Sequence, residues 1–330
     1  MVGFGQRCDV KALVFGCTGQ DGSLLCSSLL RQGIEVVGVS RSSNPNLDTH
    51  RALGIDGKIE ITTADLCDFR EILELINLHQ PVEIYNLAAQ SSVGLSFSQP
   101  VDTFNSIING TINLLEVARF AGFPGRIYFA GSSEIFGNTP MPATIHSPRQ
   151  PLSPYAIAKD ASFNTVQVYR QAYGMKCVTG ILFNHESPYR SSTFVTRKIV
   201  DGALRCSKQP SFRLQLGDLS VARDWGWAEE YIEAMQLILR SDSLEDEVIC
   251  TGRMVTLEYF VQRVFAQLDM NWKQHVDLQA SLRRPSEILY SVGNPGPMEA
   301  HHGWRAQRDV DGVIDELISQ AVRATAAVAG

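Results

Sequence analysis

Two consecutive runs decide how the chain folds: Val10-Lys-Ala-Leu-Val-Phe15, then Gly16-Cys-Thr-Gly19-Gln-Asp-Gly22. The first is short and apolar, which is typical of a buried strand, and an apolar-periodic segment through Leu30 predicts a helix after the second. Glycines at this spacing allow a tight turn, close approach of a pyrophosphate and close packing of the helix on the strand. The order strand, turn, helix predicts a dinucleotide-binding unit. The alternative is a glycine-rich turn that binds nothing.

Strands and helices alternate after this unit. The predicted strands are residues 35–39, 58–62, 82–87 and 125–130, and the predicted helices are residues 69–79 and 100–121. This alternation predicts an α/β fold with a Rossmann-type, doubly wound parallel sheet. Ligands of such sheets bind outside the carboxyl ends of the strands.

The end of the second strand bears on the choice of cofactor. An acidic residue there would hold the ribose hydroxyls of NAD, whereas a cation accepts the additional phosphate of NADP. The chain has Ser40-Arg41-Ser42-Ser43 and no acid at this point. We therefore predict NADP rather than NAD, with a solvated loop arginine as the alternative interpretation of Arg41.

The run Leu152-Ser-Pro-Tyr155-Ala-Ile-Ala-Lys159 contains a candidate proton-transfer pair. Ser153 can cap a helix and Pro154 suits its first position, so Tyr155 and Lys159 fall on one helix face. An ammonium group beside a phenol favours the phenolate, and we expect Lys159 to lower the pKa of Tyr155. Alone the pair is a weak signal, because both residues are common on helices.

The fifth strand runs into Gly131-Ser132-Ser133-Glu134. Ser132 and Glu134 are two positions apart, so they project to the same side if strand geometry persists. A hydroxyl and a carboxylate would then face one ligand. The alternative is that both residues only cap a turn.

The composition excludes several classes of protein. The net charge of -6 argues against a general nucleic-acid binder. The seven cysteines are scattered, which favours reduced thiols in a cytoplasmic protein over a disulfide frame or a zinc site. We find no signal-peptide pattern and no apolar run long enough to cross a membrane, so no membrane association is expected.

Several motifs together resemble the extended short-chain dehydrogenase/reductase superfamily: Gly16-x-x-Gly19-x-x-Gly22, Asp65-Leu66, Asn86-Leu-Ala-Ala89, Ser132 and Tyr155-x-x-x-Lys159. Longer runs resemble the GDP-mannose 4,6-dehydratase family within it. These runs are Thr18-Gly-Gln-Asp-Gly-Ser23, Glu83-Ile-Tyr-Asn-Leu-Ala-Ala-Gln90, Gly180-Ile-Leu-Phe-Asn-His-Glu-Ser-Pro188, Phe194-Val-Thr-Arg-Lys-Ile199, Arg223-Asp-Trp-Gly226 and Arg284-Pro-Ser-Glu287.

The resemblance implies a Rossmann domain over residues 1–183, with its sheet completed by about residues 218–252. It implies a nucleotide-sugar domain from residues 184–217 and 253–330. The implied reaction converts GDP-mannose to GDP-4-keto-6-deoxy-mannose and water, with an NADP that is recycled on the enzyme. A homodimer or homotetramer is also implied, because Arg41 to Ser43 lie in a segment that joins subunits in that family.

The resemblance also assigns roles to residues, and no metal ligand is among them. The implied catalytic residues are Ser132, Glu134, Tyr155 and Lys159. The implied cofactor contacts are Gly16, Thr18, Gly19, Gln20, Asp21, Gly22, Ser40, Arg41, Ser42, Ser43, Asp65, Leu66, Leu87, Ala88, Ala89, Gln90, Ser91, Tyr155, Lys159, His185 and Arg190. The implied substrate contacts are Asn184, Lys198, Arg223, Arg284 and Glu287. The chain differs from the family at four positions. It has Ser132 in place of a threonine, Ser40 in place of an arginine, and Asp102 and Phe136 each in place of a tyrosine.

Other interpretations remain open at this level. Lys198, Arg223 and Arg284 suit a diphosphate, but each could equally form a surface salt bridge. A reductase of the 4-keto product or a 4-epimerase would carry similar motifs. A protein that binds the cofactor without catalysis is a further alternative, which the complete set of catalytic residues disfavours.

Overall fold

The computed structural model describes residues 10–282 and 285–329. Its strands are β1 Lys11–Phe15, β2 Glu35–Ser40, β3 Glu60–Thr63, β4 Glu83–Asn86, β5 Arg126–Ser132, β6 Cys177–Leu182, β7 Asn184–Glu186, β8 Leu214–Leu216, β9 Ala222–Trp227, β10 Glu247–Ile249, β11 Met254–Thr256, β12 Val276–Leu278 and β13 Tyr290–Ser291. Its helices are α1 Gln20–Arg31, α2 Asp48–Ala52, α3 Phe69–His79, α4 Val93–Ser98, α5 Pro100–Phe104, α6 Gly110–Phe120, α7 Pro154–Tyr173, α8 Val195–Lys208, α9 Ala228–Arg240, α10 Leu257–Ala266, α11 Gly296–His302 and α12 Val310–Ala329.

A seven-stranded sheet with the order β10-β6-β5-β4-β1-β2-β3 forms the centre of the molecule. All of its pairs are parallel, which confirms the predicted doubly wound sheet. Alternate residues of β1 point to opposite faces: Ala12 and Val14 pack with α1 and α9, whereas Leu13 and Phe15 pack with α3 and α6. Burial on both faces explains why β1 is apolar throughout. The order reverses between β1 and β4, which is where such sheets bind ligands.

A second, smaller sheet is built around β9, which pairs with β7, β11 and β13. Only Phe183 separates β6 of the first sheet from β7 of the second. Of the range 218–252, Glu247–Ile249 lies in the first sheet, whereas Ala222–Trp227 lies in the second. The boundaries of the two domains stay a prediction. Among the described helices, none combines the length and apolarity needed to cross a membrane.

The predicted helix over residues 100–121 is interrupted. It consists of α5, a wider π-helical turn over Asn105–Asn109, and α6. The Ile107 carbonyl accepts from the hydroxyls of Thr111 and Ser162, at 2.7 and 3.2 Å. Gly110 packs so closely on Leu66 that a Cβ there would lie 2.9 Å from the leucine side chain. The bond from Ser162 joins α7, the helix that carries Tyr155, to the interrupted helix.

Candidate active site

The glycine-rich turn between β1 and α1 has the shape that a pyrophosphate requires. Gly16 has a φ of 78°, and a Cβ there would lie 2.9 Å from the Ala88 backbone nitrogen. A Cβ on Gly22 would lie 2.1 Å from the Gly16 carbonyl oxygen, so α1 packs directly on the turn. Gly19 is the N-cap residue of α1, so no side chain at that position accepts a hydrogen bond from the first turn of the helix. Backbone amides at such a helix start bind anions, and the turn therefore fits a dinucleotide.

A hydrogen-bonded network joins this turn to β7. The Asp21 carboxylate lies 3.0 Å from Nε2 of His185, and Nδ1 of His185 lies 2.7 Å from the Phe183 carbonyl oxygen. The Gln20 amide donates to Asp21 and accepts from the Ser187 hydroxyl, at 2.9 and 2.8 Å. Burial opposes both charges, but their mutual attraction lowers the pKa of Asp21 to about 2 and raises the pKa of His185. Asp21 and His185 therefore each favour the charged form of the other.

The end of β2 presents an exposed cation. Ser40 is buried, whereas Arg41, Ser42 and Ser43 are exposed. Burial raises the pKa of the Cys67 thiol, and Arg41 is close enough to oppose that shift. Arg41 therefore lies near the Asp65 turn, in which the Asp65 carboxylate accepts from the Cys67 amide at 2.9 Å. The ends of β2 and β3 thus meet where the adenosine end of a dinucleotide is expected.

A cavity of about 400 Å³ lies between the two sheets. The predicted site residues that line it are Asp21, Leu87, Ala89, Ser91, Ser132, Glu134, Tyr155, Lys159, Asn184, His185, Arg190, Lys198, Arg223 and Glu287. Those that do not line it are Gly16, Thr18, Gly19, Gln20, Gly22, Ser40, Arg41, Ser42, Ser43, Asp65, Leu66, Ala88 and Gln90. Arg284 lies outside the described residues. All four predicted catalytic residues thus face one space, together with predicted substrate contacts.

Tyr155 and Lys159 occupy one face at the start of α7. The Ser153 hydroxyl accepts from the Ala156 amide at 3.1 Å, and Pro154 is the first helical residue, as predicted. Lys159 donates from Nζ to the Ala130 carbonyl oxygen at 2.7 Å, and its Nζ lies 5.9 Å from the centre of the Tyr155 ring. The lysine is therefore anchored to β5 while staying beside the phenol.

The expectation that Lys159 lowers the pKa of Tyr155 is wrong for this structure. Burial raises the pKa of Tyr155 to about 12. A hydrogen bond with Ser132 opposes this rise, whereas the negative charge of Glu134 adds to the rise. Burial also lowers the pKa of Lys159 to about 8. Desolvation thus decides the direction of both pKa shifts. At neutral pH the Tyr155 hydroxyl is therefore protonated in this structure.

Ser132 and Glu134 lie at a turn, which the sequence left open as the alternative to a continuing strand. The strand ends at Ser132, and Ser133–Phe136 forms one tight helical turn. The Ser132 hydroxyl accepts from the Glu134 amide at 3.3 Å, so it caps this turn. The assumption that strand geometry persists was wrong, but the turn still directs both side chains into the cavity.

Two cations that line the cavity, Arg223 on β9 and Arg190 between β7 and α8, are held by neighbouring side chains. Arg223 is only 7% exposed, which excludes a surface salt bridge, and its guanidinium donates to Glu287 at 2.8 Å. The Arg190 guanidinium lies 3.8 Å from the centre of the Phe194 ring. Sequence reasoning missed Glu186, whose carboxylate accepts from the Thr196 hydroxyl at 2.6 Å and lies 3.6 Å from Arg190. The signal was present, because Glu186 belongs to a run that matched the family.

Known proteins resemble this chain over most of its length. The family model described as GDP-mannose 4,6 dehydratase matches residues 13–317. GDP-mannose 4,6 dehydratase 2 of Arabidopsis thaliana is 38% identical over 320 residues, covering 94% of this chain and 86% of that protein. The human GDP-mannose 4,6 dehydratase is 34% identical, covering 93% of this chain and 90% of that protein.

Solved structures show a similar fold. A UDP-glucose 4-epimerase of Thermus thermophilus, in complex with NAD, has a TM-score of 0.81 and 26% identity, covering 93% of this chain and 99% of that one. A dTDP-glucose 4,6-dehydratase of Streptomyces venezuelae, with NAD bound, has a TM-score of 0.85 and 23% identity, covering 96% and 98%. At this identity the second likeness concerns the fold alone.

Proposed function

Because the chain belongs to the GDP-mannose 4,6-dehydratase family, we propose that it converts GDP-mannose to GDP-4-keto-6-deoxy-mannose and water. One observation carries the proposal: Ser132, Glu134, Tyr155 and Lys159 line the same cavity as Lys198 and Arg223. The first four are acid, base and hydroxyl groups, and the last two are cations that suit a diphosphate.

The residues divide the reaction between them. Tyr155 and Ser132 hold the sugar O4, and Tyr155 takes its proton as the C4 carbon is oxidised. The resulting ketone makes the C5 proton acidic. Glu134 removes that proton and then protonates the C6 hydroxyl, which leaves as water. When bound, a nicotinamide would accept hydride from C4 at the start and return it to C6 at the end, so it would not be consumed. As hydride returns to C6, C5 takes up a proton, which balances the one that Tyr155 removed from O4.

The proposal predicts the products of a direct assay. Incubated with GDP-mannose, UDP-glucose and dTDP-glucose in turn, the protein is expected to remove one water from GDP-mannose, as measured by mass spectrometry. No net NADPH is expected to be consumed. Stoichiometric consumption of NADPH would instead identify a reductase, and retention of mass with an inverted C4 would identify an epimerase. Absence of turnover on every sugar would support a protein that binds the cofactor without catalysis.

We propose NADP as the cofactor, although the related structures described above contain NAD. The support is the exposed segment Arg41 to Ser43, which carries a cation and two hydroxyls after β2 and no carboxylate. A guanidinium pairs well with a phosphate, whereas it gains little from a ribose hydroxyl.

Replacing Arg41 with alanine is therefore expected to weaken NADP binding by about 10- to 100-fold, the usual loss for one charge-assisted hydrogen bond. NAD binding is expected to change by less than about 3-fold, since NAD lacks the phosphate. Titration calorimetry with each cofactor measures both constants. Arg51→Ala is the matched control, because Arg51 is also exposed and pairs with Asp48 on α2. Equal losses for both cofactors, or tighter binding of NAD by the unaltered protein, would contradict the assignment.

We further propose a homodimer or homotetramer. Helices α6 and α7 lie side by side, joined by a 2.5 Å hydrogen bond from Tyr169 to Glu116. Their outer faces expose Ile112, Ile157 and Val168, apolar side chains that contact with another subunit would cover. Light scattering on the purified protein measures the mass of the assembly.

A cytoplasmic location is also proposed, supported by the six cysteines of the described residues, which are all free thiols.

A further inference from the structure

A small inner cavity of about 20 Å³ lies next to the large one. Ala89, Ala130, Gly131 and Lys159 line both cavities, so the inner cavity adjoins the reaction centre on the side of Lys159. A protein cavity holds one water molecule once its volume exceeds about 10 to 15 Å³, provided that two to four polar groups face it. The inner cavity is large enough for one water molecule, so the question is which polar groups it offers.

Thr179 on β6 offers a buried hydroxyl to this cavity. The residue is only 2% exposed, and its Oγ1 has no hydrogen-bond partner among the described residues. A buried hydroxyl that lacks a partner costs stability, and in native proteins most such groups bind an ordered water. Thr179 lines the inner cavity and not the large one, so a partner can reach its hydroxyl only from the inner cavity.

Packing fixes the direction of the Thr179 hydroxyl. A Cβ on Gly131 would lie 2.8 Å from Cγ2 of Thr179, so the methyl group packs against β5. The Thr179 backbone amide donates to the Asp246 carboxylate at 2.8 Å, and the same carboxylate accepts from Arg170 at 2.8 Å. A β-branched side chain has few χ1 choices, and the fixed backbone and methyl group therefore leave the hydroxyl one direction.

Lys159 brings a charged group to the same cavity. Its ammonium has three N–H donors, and the Ala130 carbonyl takes one of them at 2.7 Å. Burial lowers the pKa of Lys159 to about 8, whereas the negative charge of Asp21 raises it. Tyr155, one turn earlier on α7, also titrates beside the lysine. A further polar partner for the ammonium would favour its charged form.

Ser162 on α7 supplies a third polar group to the inner cavity. Its hydroxyl donates to the Ile107 carbonyl at 3.2 Å, and its oxygen can still accept a hydrogen bond. Thr179, Lys159 and Ser162 together give three polar partners, which is the usual number for a buried water. The inner cavity thus has both the volume and the lining of a water site.

We propose that the inner cavity binds one water molecule that bridges Thr179 to Lys159, and that Thr179 is thereby a positioning residue for the lysine. The water accepts a hydrogen bond from the ammonium and donates one to Oγ1 of Thr179. It replaces part of the hydration that the ammonium loses on burial. Its effect on turnover rests on the proposed function, because a phenolate that forms at Tyr155 is stabilised by Lys159 only while the lysine is charged.

Thr179→Val tests the bridge, because valine keeps the shape of threonine and lacks the hydroxyl. NMR of the lysine ε-carbons, with Lys159 assigned from Lys159→Arg, is expected to show the titration midpoint of Lys159 about one pH unit lower than in the parent, as loss of a hydrogen bond to a charged group predicts. Thr179→Ser keeps the hydroxyl and is expected to retain the parental midpoint. Thr165→Val is the matched control, since the Thr165 hydroxyl donates to the Ala161 carbonyl within α7 and lines neither cavity.

Stability gives a second test, whose sign depends on the water. If the Thr179 hydroxyl lacked a partner, valine would remove an unsatisfied polar group and leave the unfolding temperature equal or higher. With the bridge, Thr179→Val is expected to lower the unfolding temperature by about 2 °C or more. An equal or higher unfolding temperature would contradict the bridge.

Turnover connects the bridge to the reaction. The kcat for GDP-mannose is expected to fall as the pH rises through the Lys159 midpoint, and in Thr179→Val this fall is expected about one pH unit lower. A high-resolution crystal structure of the parent without a water between Thr179 and Lys159 would overturn the inference, even if the variant failed to fold. A folded variant with the parental Lys159 midpoint would also overturn it. A parent that holds the water and shows the shifted midpoint in Thr179→Val, yet does not dehydrate GDP-mannose, would instead reject the proposed function and leave the water site standing.

Discussion

Tyr155→Phe is expected to lower kcat for GDP-mannose dehydration by about 10³-fold or more, in the upper part of the range for loss of a general base. Phenylalanine keeps the ring that packs at the start of α7, but it removes the only atom of the side chain that can exchange a proton with O4. Product formation is measured by the mass of the released nucleotide sugar.

Binding separates a chemical defect from a structural one. The variant is expected to bind GDP with an affinity within about 3-fold of the parent, because the phenol is not expected to contact the nucleotide. Tyr169→Phe is the matched control: Tyr169 lies on the same helix, but its hydroxyl bonds to Glu116 outside the cavity. More than a tenth of parental turnover in Tyr155→Phe would remove Tyr155 from the mechanism. Parental turnover with Tyr169→Phe would show that α7 tolerates such a change.

Local features of the sequence predicted the frame of this molecule. The apolar β1, the glycine-rich turn and the helix after it follow from hydrophobic pattern and backbone sterics alone, and helix α3 has the predicted bounds, Phe69–His79. The Tyr155 and Lys159 spacing likewise follows from helix geometry. These features depend on residues that are close together in the chain, where periodicity and capping are reliable guides.

The remaining features depend on residues that are far apart in the chain. Asp21 and His185 are separated by 164 positions, so no local pattern could reveal their hydrogen bond. The anchoring of Lys159 to the Ala130 carbonyl depends on how α7 packs against β5. The rise in the pKa of Tyr155 depends on burial, which only the folded chain defines. The charges and the desolvation of the active-site residues therefore follow only from the structure, even though the sequence predicted which residues they are.

Glu134→Gln is expected to separate the two halves of the reaction. Oxidation at C4 relies on Tyr155, Ser132 and the cofactor, none of which the substitution removes. The charge of Glu134 contributes to the raised pKa of Tyr155, so its loss does not oppose the first step. Elimination of water needs a base at C5 and an acid at C6, and an amide supplies neither. Release of 6-deoxy product is expected to fall by about 10²- to 10⁴-fold.

The expected signature is an intermediate that the parent does not accumulate. On mixing with GDP-mannose, the variant should build up absorbance of the reduced nicotinamide, together with a bound 4-keto sugar that keeps its C6 hydroxyl. Glu116→Gln serves as the control for loss of a carboxylate outside the cavity, since Glu116 pairs with Arg119 on α6. Thermal unfolding of both variants reports whether the substitution destabilises the fold.

A glutamate that only shapes the turn after β5 would behave differently. Ser132 already caps that turn by accepting from the Glu134 amide, a backbone interaction that the Glu134→Gln variant would retain. A purely structural role would therefore lower stability or slow both half-reactions together, without reduced cofactor accumulating. If the folded variant releases 6-deoxy product at close to the parental rate, Glu134 is not the elimination residue. The proposed dehydration would then need another base near C5, and of the described carboxylates that line the cavity none lies on the turn with Ser132 except Glu134.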